Sequence, residues 1–344
     1  YIDLFEKEIN KDNLNLTAGR SVACVDRKGD GMYGFYVANY GGPTRFYEMS
    51  NKKIIDKASE LGLDKITGGR SVVSGHILSN NIDIFAANER GSNFLYKNVD
   101  GIFFDMAASQ RVLDTYQNGR GTVLSDILYR GNLDIINGNW DGYHRLFVKR
   151  ENFFEDIATS PFNTPSKIRT VISADFDNDG FDEVFMNNIG EPNKLFKILD
   201  NGKVKEISIK TALEPNGLGT GAAVADIDND GILELLISHG EVGLQKLTLY
   251  KANIVKKKNF IRIKPLNKNG APARGATVTL ISNKRKHAKT IDSGSGYLCQ
   301  MEPVAHYGIR DKEEDFLVKI RWTNGEESTY KINEVGKTYT YTQK

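Results

Sequence analysis

Acidic side chains recur at positions 1, 3, 5 and 9 of two short segments in this 344-residue chain: Asp175, Asp177, Asp179 and Glu183, then Asp226, Asp228, Asp230 and Glu234. Gly180 and Gly231 hold position 6 of each segment. Four carboxylates this close repel one another unless a cation neutralises them, and a dense all-oxygen set suits a hard divalent ion. Glycine lets the backbone reverse, so that the carbonyls of Phe181 and Ile232 at position 7 face the ion. The expected cofactor is therefore Ca2+ at two sites, both mainly structural. The alternative is an Asp- and Asn-rich hairpin turn without metal.

The elements that must position these loops are strands. A helix-loop-helix calcium hand needs a bidentate glutamate at position 12. Here that position is Met186 or Ile237, and each loop is flanked by apolar runs of strand length, such as 171–174 and 184–186. The first loop aspartate also has counterparts upstream: Asp26, His76 and Asp126 precede Asp175 and Asp226 at intervals of roughly 50 residues. An apolar strand follows each marker, and a third strand comes near Phe46, Leu95, Leu146 and Leu195. A period of this length with about four short strands per unit is the pattern of β-propeller blades. Five blades are expected, with the segment Tyr1 to Ile9 supplying the strand that the last unit lacks; six or seven blades follow if the chain is part of a longer one. Three of the five loops have lost acids. Lys28 and Gly34 interrupt the first, His76 opens the second, and Leu128 and Arg130 fill the third, so none of these is expected to hold calcium.

After the basic stretch Lys256 to Lys258 the repeat ends. Residues 259–344 alternate apolar and polar positions between turns such as Asn269-Gly270 and Asn324-Gly325, which predicts a small antiparallel sandwich or barrel. The expected fold class is all-β, with a propeller over 1–255 and a second β domain over 256–344.

Six residues before the markers stand Arg20, Arg70, Arg120 and Arg169, with Thr220 in the fifth unit. A propeller would gather them at one mouth of its channel, opposite the acidic loops. Asn39, Asn88, Asn139, Asn188 and His239 begin the loops on that same face, with His144 nearby. Such a funnel suits an anionic small molecule, a glycan or an acidic protein group. Alternatively, each arginine pairs with an acid or a carbonyl of the neighbouring blade. Asp141, Glu89, Glu191 and Glu241 lie near the funnel, and His144 and His239 are candidate bases there, so a hydrolase or a lyase/cyclase is the alternative to recognition or adhesion. No nucleophile elbow, zinc-protease pattern or phosphate loop is present in the sequence.

The formal net charge of +2, without a basic stripe, argues against a nucleic-acid partner, and no apolar run reaches membrane-span length. The start at Tyr1 fits removal of a signal peptide or trimming of the chain. Cys24 and Cys299 are expected to be unrelated thiols, a single bridge stapling the two domains being the alternative. Asn15-Leu-Thr17 forms a glycosylation sequon.

The loop-bearing repeats resemble FG-GAP units, the blades of integrin α-subunits. The tail resembles the ASPIC/UnbV domain of the cartilage acidic protein family, through Asn259 to Lys264, Ala273 to Val278, Gly294 to Gln300, His306 to Gly308 and Val318 to Gly325. The order of the two is specific to that family. The resemblance implies an extracellular or periplasmic calcium-binding protein that acts in adhesion or recognition. The cysteine-rich calcium module that animal members carry at the carboxyl end has no counterpart in this sequence.

Overall fold

Twenty-six strands and two short 3-10 turns make up the ordered elements of the protein, a computed structural model in which residues 1–10, 16–241, 243–254 and 259–344 are described. Five antiparallel blades follow the repeat. Their inner strands are Gly19–Val25, Ile66–Gly75, Gly119–Ser125, Ile168–Ala174 and Gly219–Ala225. Each pairs with the next strand in sequence, so every acidic loop or its counterpart is the hairpin between the first and second strands of a blade. Among the described residues, blades 1 to 4 have four strands and blade 5 has three.

Period-2 alternation gives every blade two faces, and the apolar faces of consecutive blades meet. Tyr36, Phe46, Ile84 and Tyr96 fill the space between blades 1 and 2. Phe85, Leu95, Ile135 and Phe147 do so between blades 2 and 3. Val148, Phe162, Met186 and Phe196 fill the next space, and Phe185, Ala222, Leu235 and Ile237 the last. Blades 5 and 1 form no such core among the described residues. Val22 and Phe35 on blade 1 remain 49% and 47% exposed, and Leu236 and Leu249 on blade 5 remain 43% and 54% exposed.

The amino-terminal segment does not complete blade 5. Residues 1–7 form no strand, and the turn Glu8–Asn10 lies against the outer strand of blade 1, where Asn10 Oδ1 accepts from Ile54 N at 2.8 Å. The alternation that made this segment look like a fourth strand instead serves a local packing contact, with Phe5 edge-on to Tyr47.

The tail is a sandwich of two sheets. One holds Phe260–Leu266 between Ala305–Gly308 and, in parallel, Lys337–Thr342. The other orders Lys286–Thr290, Thr277–Ile281, Leu317–Arg321 and Glu327–Lys331. Trp322, Tyr307, Val278 and Ile320 are buried between them. The expected boundary at 255/256 and Asn15 of the sequon lie outside the described residues. No helix among the described residues is long and apolar enough to cross a membrane.

Candidate metal centres

In blade 4 the hairpin turns on Asn178 and Gly180, both at positive φ. Its carboxylates fold inward by accepting backbone N–H groups of their own loop. Asp175 Oδ2 takes Gly180 N at 2.8 Å, Asp177 Oδ1 takes Asp179 N at 2.9 Å, and Asp179 Oδ1 takes Phe181 N at 3.0 Å. Glu183, at the start of the second strand, reaches back to Phe176 N at 3.0 Å. Blade 5 repeats this geometry. Asp226 accepts from Gly231 N at 3.1 Å, Asp230 from Ile232 N at 2.9 Å, and Glu234 from Ile227 N at 2.9 Å.

These folds bring one carboxylate oxygen each from Asp175, Asp177 and Glu183 within 4.8 Å of one another, and likewise from Asp226, Asp228 and Asp230. A lysine from the third strand projects into each cluster. Lys197 Nζ lies 2.9 Å from Glu183, 3.2 Å from Asp177 and against Asp179. Lys251 Nζ lies 2.6, 2.7 and 2.9 Å from Glu234, Asp228 and Asp230. The same stand-in cation at equivalent points of two blades marks where positive charge is needed. Asp226 Oδ1 is buried without a hydrogen bond, and Glu183 Oε1 and Glu234 Oε1 are met by the lysine ammonium, the position an ion would take. The donor set, all hard oxygen, fits calcium.

The titration behaviour has the same cause. Burial, then the neighbouring Asp182, pushes Asp175 up to about 7, and burial with Asp175 raises Glu183 well above its usual range. Lys197 moves upward because Glu183 and Asp179 outweigh its burial. Crowded carboxylates hold protons until a cation displaces them.

The sequence did not announce what covers this face. The tail sandwich sits on it, and the first residue of every loop touches the tail. Asp26 Oδ2 accepts from Thr323 Oγ1 at 2.6 Å, and His76 Nδ1 meets Thr277 Oγ1 at 2.9 Å. Asp126 Oδ2 accepts from Ala288 N at 3.0 Å, and Asp175 Oδ2 from Gly308 N at 3.1 Å. Asp226 Oδ2 pairs with Arg262 Nη1 at 2.9 Å. The marker aspartates therefore serve two purposes, closing their own hairpins and seating the second domain.

From that seat the tail loop 292–301 runs into the propeller channel. Gly296 exchanges backbone hydrogen bonds with Thr122 and accepts from Ser71 Oγ at 2.5 Å, while Thr170 Oγ1 donates to Tyr297 O at 2.9 Å. Gly294 has φ +112, and a Cβ there would lie 2.8 Å from Val22 O and 2.9 Å from Val72 O. Gly221 of blade 5 faces Leu298 O at similar range. The loop thus contacts the inner strand of all five blades. Its glycines signalled a turn in the sequence, and the same absence of side chain allows the close approach. Cys299 lies on this loop and Cys24 on the inner strand of blade 1; both thiols are free, and burial pushes Cys299 up to about 11.

At the far mouth Tyr297 Oη comes within 3.5 Å of Arg70 Nη1. Arg70 and Arg120 share Glu89, with contacts of 2.6 and 2.8 Å, and Arg169 meets Glu241 at 2.5 Å. Tyr40 lies between Arg20 and Arg70, and Trp140 between Arg120 and Arg169. His239 Nε2 is 2.8 Å from Glu214. Two residues expected in the funnel belong to the interior instead. His144 is fully buried, its Nδ1 accepting from Asn139 N and its Nε2 meeting Ser166 Oγ, both at 3.1 Å. Asn139, also buried, donates to Asp114 and Tyr143 O. Neither side chain has a group left to offer a ligand: at this position the turn after the second strand satisfies its own backbone before it can face solvent.

Residues 175–237 match the family model for the FG-GAP-like repeat, and residues 266–344 match that for ASPIC and UnbV. The chain is 45% identical to cartilage acidic protein 1 of Xenopus tropicalis over 96% of its own length and 56% of that protein's. Against the Homo sapiens protein of the same name the identity is 44%, over 94% of this chain and 53% of the relative. The chain thus spans about half the length of the curated relatives it matches. Among solved structures, the BP39L lectin of Burkholderia pseudomallei aligns with a TM-score of 0.44 at 12% identity, covering 92% of this chain and all of that one.

Proposed function

We propose, from the premise that this chain belongs to the cartilage acidic protein family, that it is an extracellular calcium-binding recognition module. The observation that carries this reading is the pair of carboxylate clusters closed around a lysine ammonium at equivalent points of blades 4 and 5. Asp175, Asp177, Asp179, Glu183 and the Phe181 carbonyl would hold one ion; Asp226, Asp228, Asp230, Glu234 and the Ile232 carbonyl would hold the other. Bound calcium would neutralise each loop and firm the seat of the tail, because Asp175 and Asp226 also carry interdomain contacts.

Recognition is assigned to the opposite mouth, where Arg20, Arg70, Arg120 and Arg169 alternate with Tyr40 and Trp140 beside His239. Arg20 is exposed, whereas Arg70, Arg120 and Arg169 are buried behind half-buried Tyr40 and Trp140, and cationic and aromatic faces of this kind suit an anionic glycan or an acidic peptide. Glu89 and Glu241 are both engaged by arginines, which favours binding over carboxylate-driven hydrolysis. Equilibrium dialysis of chelator-stripped protein tests the metal assignment. About two calcium ions per chain are expected, and Asp177→Ala or Asp228→Ala should each abolish one site and spare the other. Uptake that neither substitution changes would refute it.

A further inference from the structure

Blades 2 and 3 lack the acids that blades 4 and 5 carry, and the space beneath the tail differs accordingly. A cavity of about 230 Å³ lies there, lined by His76, Arg130, Lys149, Lys286, Lys319 and Arg321 among others. No aspartate or glutamate is among its lining residues. Five permanent cations therefore face one volume, drawn from the blade 3 loop, the third strand of blade 3 and two strands of the tail, with His76 of the blade 2 loop beside them.

Their own counter-charges are incomplete. Lys319 and Arg321 share a single carboxylate, Glu327, at 3.2 and 2.9 Å, on the tail surface. Lys149 donates to Ile77 O at 2.5 Å, and Arg130 to Lys149 O at 3.3 Å. Arg130 and Lys286 form no ion pair with any described residue. Asp126 and Asp134 act on Arg130, and Asp83 and Asp134 on Lys149, but burial raises all three acids above the usual carboxylate range, which weakens them as counter-charges. His76 adds an independent sign. Its ring is buried with Nδ1 against Thr277 Oγ1, and its Nε2 has no hydrogen-bond partner. With the Thr277 hydroxyl donating to Nδ1, the neutral ring carries its proton on Nε2, and a buried N–H without an acceptor is costly.

Converging cations, an unsatisfied donor and a roomy polar cavity describe an anion receptor. We infer that this seam cavity binds a doubly charged tetrahedral oxyanion, sulfate or phosphate, either free or as a monoester. The volume exceeds that of several waters, each about 30 Å³ in the liquid, so the group would enter with part of its hydration or its ester substituent. The anion does here what calcium is proposed to do in blades 4 and 5: it neutralises like charges gathered where a loop meets the tail.

The test is calorimetric titration of the full, calcium-loaded chain at low ionic strength with three probes: inorganic sulfate, inorganic phosphate and N-acetylglucosamine 6-sulfate. Saturable binding of one equivalent is expected, weakening as sodium chloride is added. The double variant Arg130→Gln with Lys286→Gln should bind at least tenfold more weakly with its melting temperature retained, because both side chains are exposed. His76→Phe provides a second reading at a buried position, with circular dichroism to confirm folding. Tighter binding of the sugar sulfate than of the free ions assigns a monoester; the reverse order assigns a free ion. Absence of saturable binding by all three probes, or a double variant that binds as tightly as the parent, would overturn the inference.

Discussion

Replacing Lys197 with methionine should convert blade 4 from an element that tolerates calcium loss into one that requires the ion. Asp175 and Glu183 are both buried, with carboxylate oxygens no more than 4.8 Å apart. At an effective dielectric of about 20 their mutual repulsion is roughly 3 kcal/mol, and an ammonium 2.9 Å from Glu183 offsets about 5–6 kcal/mol of such repulsion. Proton uptake caps the cost of removing the lysine, since burial already lifts both acids, so a net loss of about 2–4 kcal/mol is expected without metal. For a chain of this size that is a fall in melting temperature of roughly 3–6 °C. Calcium at a hundredfold excess over its Kd returns about 2.7 kcal/mol at the site, so most of the loss should vanish when the ion is supplied. The ion also no longer has to evict an ammonium, so the variant should bind calcium about tenfold more tightly than the parent. Thermal unfolding of both proteins in chelator and in millimolar calcium, with calorimetric titration, measures all three quantities. A melting deficit that calcium leaves unchanged, or a calcium gain no larger in the variant than in the parent, would refute the reasoning.

Burial holds His144 at about 3, below its ordinary 6.5, so the folded protein binds fewer protons than the unfolded chain between those values. Its contribution is complete above pH 6.5 and is lost as pH falls, at about 1.4 kcal/mol per unit; His144→Gln should flatten urea midpoints measured from pH 7 to 5 by one proton's slope. Gly294→Ala should push the tail loop off Val22 and Val72, costing about 2–4 kcal/mol and exposing the tail to limited proteolysis while calcium still binds. Arg70→Ala with Arg120→Ala strands Glu89, which burial would raise but the two arginines hold below its usual range. The stabilisation this gives is present above pH 4.5 and lost at lower pH, so the variant's melting deficit at pH 7.5 should shrink near pH 4, with two calcium ions still bound. Intact binding of acidic glycans by that variant would remove the mouth from the recognition surface.

Much of this architecture was legible because it is local or periodic. The spacing of Asp26, His76, Asp126, Asp175 and Asp226 announces blades, and the acid-glycine pattern within nine residues announces the clustered acidic hairpins. The two-domain order was also readable, from the change at residue 259 to alternation without the repeat. What escaped depends on residues far apart in the chain. The bond from Thr323 to Asp26 and the insertion of Gly296 between Ser71 and Thr122 leave no periodic trace, and a glycine-serine run predicts a turn equally well on a surface or inside a channel. The amino-terminal segment was misplaced because apolar alternation specifies a buried face without specifying which neighbour buries it. His144 and Asn139 were misassigned for a related reason: polar residues next to a turn serve its backbone as readily as they serve a ligand.

Because one tail loop touches every inner strand, the axis of the propeller is built from sequence that emerges only after all five blades. Until residues 292–301 arrive, Ser71 Oγ, Thr170 Oγ1 and the backbone groups of Thr122 that they will meet must remain bonded to water inside a hollow ring. A nascent or truncated chain that ends before the tail would thus carry a wet core, with five blades held only by the contacts between neighbours. Final consolidation becomes a single late event in which the tail expels that water and sets all five inner strands against one shared surface.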